Sequence, residues 1–134
     1  MNPYSFLDFF QIFLKLENLQ PIGCFKIRGA CNAISCIPES TLKDGVYTAS
    51  AGNFAQGLSY CTRKFGIPCH VFVPDHAPAT KINAVEDLGG HVHKVTFDEW
   101  WGIIKKHGKS GMEGKFIHPV SDASVIAGLW SVLF

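Results

Sequence analysis

The sequence predicts an α/β fold, an open parallel sheet with helices on both faces. Three observations predict it. From Gly45 onward, short runs rich in β-branched and aromatic residues alternate with longer runs whose apolar residues recur every three or four positions. Glycine or proline punctuates most of the changes from one pattern to the other. Each strand-like run is followed by a helix-like one, which is the order that crossovers between parallel strands require.

The elements follow in order. Upstream of Gly45, Phe13-Leu14-Lys15-Leu16 reads as an isolated strand, and Phe25 to Ile34 as a helix entered from Gly23. Val46-Tyr47-Thr48 opens the alternation as a strand. Asn53 to Phe65 is a helix with Phe54, Leu58, Cys61 and Phe65 on one buried face, stopped by Gly66-Ile67-Pro68. Val71-Phe72-Val73 is the second strand. Ala79 to Leu88 is the next helix, with Ile82, Val85 and Leu88 inward and Gly89-Gly90 at its end. His91 to Val95 is the third strand. Thr96-Phe97-Asp98-Glu99 is a capping box opening a helix whose stripe is Phe97, Trp100, Trp101 and Ile104. Lys115 to His118 is a fourth short strand, and Asp122 caps a last helix beginning near Ser124.

Composition narrows the function classes. A chain of 134 residues, 47% hydrophobic and 17% charged, is one globular domain's worth and is not disordered. With a net charge of +1 and no basic run beyond Lys105-Lys106, it lacks the stripe that offsets nucleic-acid phosphates. The apolar opening from Phe6 to Leu16 is broken by Asp8, Gln11 and Lys15, too short and polar to span a bilayer. No positive charge precedes Lys15, so no signal peptide is expected. Five cysteines without a CxxC pair argue against a disulfide framework and for a reduced, cytoplasmic protein. Cys31 and Cys36 read as buried apolar side chains. His91 and His93 share a strand face, but a metal centre needs a third ligand and none is near in sequence, so an exposed strand face is expected and no metal. Trp100-Trp101 could be a stacking platform, but on a capped helix one of the two reads more simply as core.

Two motifs carry chemistry. The first is Leu14-Lys15-Leu16-Glu17-Asn18-Leu19-Gln20-Pro21-Ile22-Gly23-Cys24-Phe25-Lys26-Ile27-Arg28-Gly29-Ala30. It sets Lys26 in the first turn of a helix, whose N-terminus carries about +0.5 charge and disfavours a cation. That setting favours the neutral amine, the form that attacks an aldehyde. A solvated surface lysine is the competing reading. The second motif is Ser50-Ala51-Gly52-Asn53-Phe54-Ala55-Gln56-Gly57, between a strand and its helix. Free N–H groups at a helix start bind anions, and Gly52 lets a ligand approach the backbone. An ordinary turn capped by Ser50 or Asn53 competes with that reading.

In this order the two motifs resemble the lysine signature and the substrate-carboxylate loop of the threonine dehydratase and serine racemase group of pyridoxal-phosphate enzymes. The resemblance runs from about Phe13 to Gly128 and includes Pro78-Ala79-Thr80-Lys81. It implies that Lys26 holds pyridoxal 5'-phosphate covalently and later moves the substrate's Cα proton. It further implies that Phe25 packs against the pyridine ring and that Asn53 bonds the ring's hydroxyl. Ser50, Ala51 and Gly52, with the N–H of Asn53, would cradle the amino acid carboxylate. The implied reaction converts L-threonine or L-serine to a 2-oxo acid and ammonia. The implied organisation is a piece of the large domain over residues 1–44, the small domain over 45–128, and an unmatched end over 129–134.

Phe54 stands where the group has histidine, and Cys24 where it has serine. No glycine run able to cup a phosphate is present, so the expectation is an N-terminal half that is weakly active or inactive alone. A fold-retaining, inactive relative is the alternative, self-associating or pairing with a complete homologue. A generic nucleotide binder ranks last, because no GxGxxG or Walker sequence occurs.

Overall fold

The computed structural model describes residues 13–133. The expectations that rest on residues 1–12 and 134, including most of the apolar opening, lie outside the described residues. A 3-10 turn at Glu17–Leu19 leads into α1 (Lys26–Ser35), and a short α2 (Glu39–Leu42) follows. The alternation is then β1 (Val46–Ala49), α3 (Asn53–Phe65), β2 (Cys69–Pro74), α4 (Ala79–Asp87), β3 (His91–Val95), α5 (Phe97–Lys106), β4 (Lys115–Phe116) and α6 (Ala123–Trp130). All strands are parallel, in the order β3-β2-β1-β4.

The chain steps outward from β1 to β2 to β3, then returns through α5 to place β4 on the other side of β1. Alternate strand residues face opposite ways. Val46, Cys69, Val71 and Val73 point into a core with Phe54, Leu58, Ile82 and Val85, so α3 and α4 cover that face. Tyr47, Ala49 and Phe72 point the other way, onto Ile103 of α5. The helices therefore lie on both faces, as expected. Outside this sandwich, α1 packs against α3 and α6. Bare glycines let the backbones close: a Cβ at Gly57 would lie 3.3 Å from Ile27 Cα, and one at Gly128 would lie 2.6 Å from the Arg28 carbonyl oxygen.

Several expectations are corrected. Phe13 to Leu16 form no strand; among the described residues no strand pairs with them, and Phe13 and Leu14 are exposed. On α5 the buried residue is Ile103, while Phe97 and Trp101 are 50% and 45% exposed, because among the described residues α5 is the only helix on its face and seats one edge of its apolar stripe. Phe65, the last residue of α3, is exposed beside the left-handed Gly66, and α2 was not foreseen. Above all, Cys31 and Cys61 form a disulfide, with Cα atoms 5.5 Å apart. The close α1–α3 approach puts the two side chains within bonding geometry, a non-local fact that cysteine spacing does not encode. Cys36 is exposed rather than buried. Among the described residues, no helix is long and apolar enough to cross a membrane.

Candidate active site

In an open parallel sheet, ligands bind past the carboxyl ends of the strands, where the direction of strand addition reverses. Here that point lies between β1 and β4. The Ser50–Gly52 loop leaves β1, and His118-Pro119-Val120 leaves β4 beside it. The two segments share a cleft of about 550 Å³ with Cys24, Phe25 and Lys26 on one wall and Trp100, Trp101 and Ile104 on another.

The loop is held by backbone. Ser50 N donates to the Phe72 carbonyl at 3.1 Å, and Gly52 N donates to Ser50 Oγ at 3.4 Å. Gly52 is the N-cap of α3, and no side chain caps that helix, so neither Ser50 nor Asn53 acts as the cap. A Cβ built on Gly52 meets nothing within 4 Å, so the space before the helix start is open. Phe54, in the place of a histidine, is buried in the core and lines the cleft floor. Ala51 packs toward the core and is not part of the lining, unlike Ser50, Gly52 and Asn53.

Lys26 is the first residue of α1, with its Nζ 5.4 Å from the centroid of the Phe25 ring. The entry to this helix is braced by Arg28, whose Nε donates to both Glu17 oxygens at 3.0 Å and whose Nη2 lies 2.9 Å from Oε1. Gln20 Nε2 adds a bond to Glu17 at 3.2 Å. The guanidinium holds the Glu17 carboxyl below its ordinary range. Cys24 supplies no cap to α1.

Sequence reasoning missed most of the opposite wall. Lys81 brings a second amine to the cleft, and both tryptophans line it, Trp100 also packing against the core around Ile103 as one of the two was expected to, and Trp101 staying exposed. The indole N–H of Trp100 is buried without a partner among the described residues. His118, Pro119 and Val120 were also missed. The rule that places Ser50–Asn53, the carboxyl end of a strand, applies equally to the residues after β4 and could have found them. On the far sheet edge, His70 Nδ1 lies 2.9 Å from His93 Nε2, a third histidine near in space though not in sequence. Burial, then His93 and His91, push its pKa down. Even so, no group of three potential ligands among the described residues could hold a metal.

The family described as pyridoxal-phosphate dependent enzyme matches residues 3–134. The chain belongs to that family. It is 44% identical over 121 residues to the L-threonine ammonia-lyase of Thermotoga maritima, a match covering 88% of this chain and 30% of that protein. It is 40% identical to the serine racemase of Dictyostelium discoideum, covering 88% of this chain and 37% of the relative. The solved structure of maize serine racemase superposes with a TM-score of 0.78 at 32% identity, over 88% of this chain and 36% of that one. The chain thus spans about a third of the length of these pyridoxal-phosphate dependent relatives.

The residues present fit such a cofactor. Lys26 offers an amine to an aldehyde, Phe25 an aromatic face to a ring, and the uncapped start of α3 an anion site, all on one cleft.

Proposed function

We propose that this chain forms the lysine-bearing part of a hydroxy amino acid ammonia-lyase, acting on L-threonine or L-serine. The observation that carries the reading is the meeting of Lys26 and the uncapped α3 N-terminus in one cleft. Pyridoxal 5'-phosphate, when bound, supplies an electron sink for the charge left at the substrate's Cα. Lys26 would hold the cofactor and take the Cα proton. Phe25 would pack on the ring and Asn53 would bond its hydroxyl. Ser50, Ala51 and Gly52, with the Asn53 N–H, bind the substrate carboxylate where the helix dipole favours an anion. Trp100 and Trp101 exclude water from one side. The β-hydroxyl leaves as water and one water is taken up again as the nitrogen is released, so the net products are the 2-oxo acid and ammonia.

In this reading, residues 1–44 belong to a larger domain, 45–128 form the small one, and 129–134 match neither. The protein works in the cytoplasm as an assembly with itself or a complete homologue. The exposed Leu14, Leu19, Trp130 and Leu133 support an assembly, since an apolar surface of this kind favours a partner.

Borohydride reduction with pyridoxal 5'-phosphate present, followed by peptide mapping, tests the assignment. A pyridoxyl group on Lys26 is expected. Label on Lys81, which lines the same cleft, or on Lys15, with Lys26 clean, overturns it.

A further inference from the structure

We propose that His118, as the neutral Nε2–H tautomer, is a positioning residue that holds the β4–α6 wall of the cleft, and that protonating it releases that wall. The functional consequence rests on the cleft being the site proposed above; the positioning itself does not.

The ring is 7% exposed, and its Nδ1 accepts two backbone hydrogen bonds, from Val120 N at 3.2 Å and Ser121 N at 3.1 Å. A nitrogen that accepts twice carries no proton, so the ring proton sits on Nε2. The Ile104 backbone, near the end of α5, favours a proton on the ring. The imidazole therefore holds the turn after β4 beside the last turn of α5. His118 itself, Pro119, Val120 and Ile104 all line the cleft.

Protonation reverses this arrangement. A proton on Nδ1 turns the acceptor into a donor facing two N–H donors. The groups around the ring bear on the charge in both directions. His107, in a left-handed conformation at the end of α5, lies tilted against the ring at 4.5 Å between centroids and opposes a positive charge on it. Asp122, the N-cap of α6, favours it, but its Oδ1 already accepts from Ser124 N, Ser124 Oγ and Val125 N. Phe116 adds only an aromatic edge. Burial comes first and His107 second, and together they hold His118 below the ordinary histidine range. The wall is thus closed at neutral pH and opens in acid. Lys26 and Lys81 face the same cleft and are exposed to whatever that opening admits.

Ring ¹⁵N spectra and amide exchange on the full chain, from pH 7.5 down to pH 5, test this. At pH 7.5, His118 is expected to show a bare Nδ1 and a protonated Nε2. On acidification the protection of the Val120 and Ser121 amides should fall at least tenfold. His118→Asn offers an acceptor to the same two amides but does not titrate, so its protection should change less than twofold beyond the intrinsic pH dependence. His107→Gln removes the neighbouring charge and should move the wild-type transition to higher pH. A protonated Nδ1 at pH 7.5, or turn amides equally protected at both pH values in wild type, overturns the proposal, even if His118→Asn fails to fold. Failure of pyridoxal 5'-phosphate to bind at any pH, with the predicted tautomer present, counts against the proposed function and leaves the positioning role supported.

Discussion

Breaking the Cys31–Cys61 bond should remove a large share of this fold's stability. The bond closes a loop between residues 30 apart. For a loop of that length, the entropy returned to the unfolded chain is about 12 cal/mol/K, or about 3.6 kcal/mol near room temperature. Melting entropy scales at about 2.1 cal/mol/K per residue, so for a chain this long the loss corresponds to a drop of about 10–13 °C in melting temperature. The bond also staples the helix that carries Lys26 to the helix that begins at Asn53, so both cleft walls loosen together. Calorimetry with and without dithiothreitol reads the effect. Cys31→Ala/Cys61→Ala supplies the reference, on which the reductant should do nothing. Thiol titration in denaturant should find the three cysteines outside the bond, Cys24, Cys36 and Cys69. Five free thiols would refute the reasoning, as would a verified disulfide whose reduction moves the melt by less than about 3 °C.

Gly128→Ala places a Cβ 2.6 Å from the Arg28 carbonyl oxygen and 2.8 Å from Gly29 Cα, backbone atoms that cannot yield locally. It should cost about 1–3 kcal/mol in a urea titration. His70 has a folded pKa below the unfolded value near 6.5, so the stability of its neutral form is complete above that value and is lost as the pH falls through the folded pKa. Chemical denaturation between pH 7.5 and pH 5 should show that loss, and His93→Gln should reduce it. Ala51 has no proton to give to the face of the substrate opposite Lys26. A complete enzyme containing this chain should therefore release pyruvate from L-serine faster than it forms D-serine, by chiral chromatography.

Much of the fold is legible in the sequence because its strands and helices carry their own periodicity. Asn53–Phe65 and His91–Val95 are bounded as expected, and Thr96 and Asp122 accept the N–H bonds that a cap should accept, from Glu99 in the first case and from Ser124 and Val125 in the second. The reciprocal half of the capping box is diverted, since Glu99 pairs instead with Lys109. What periodicity cannot carry is which side of a helix meets which neighbour. That is why Trp101 was assigned to a core and lines a cleft, and why Cys31 and Cys61 were assigned as thiols. Lys26 and the Ser50 loop were legible because a helix start has the same chemistry wherever it is found. Lys81 was not, because only the tertiary fold brings it to the same place, whereas His118 follows the carboxyl end of a strand and the same rule reaches it.

The position of β4 has a consequence for the chain during its synthesis. β1 is flanked on one side by β2, which follows it closely, and on the other by β4, reached only after α5. Thr48 Oγ1 donates to the carbonyl of Ile117, 69 residues further on. At translation rates of about 5–20 residues per second, β1 waits about 3–14 s on the ribosome with one row of backbone donors and acceptors unpaired. An unpaired edge on an apolar strand is a template for another chain. The nascent protein is therefore most vulnerable to mispairing after β2 has formed and before Lys115 leaves the exit tunnel, a window in which a bound chaperone would cover β1 rather than the cleft.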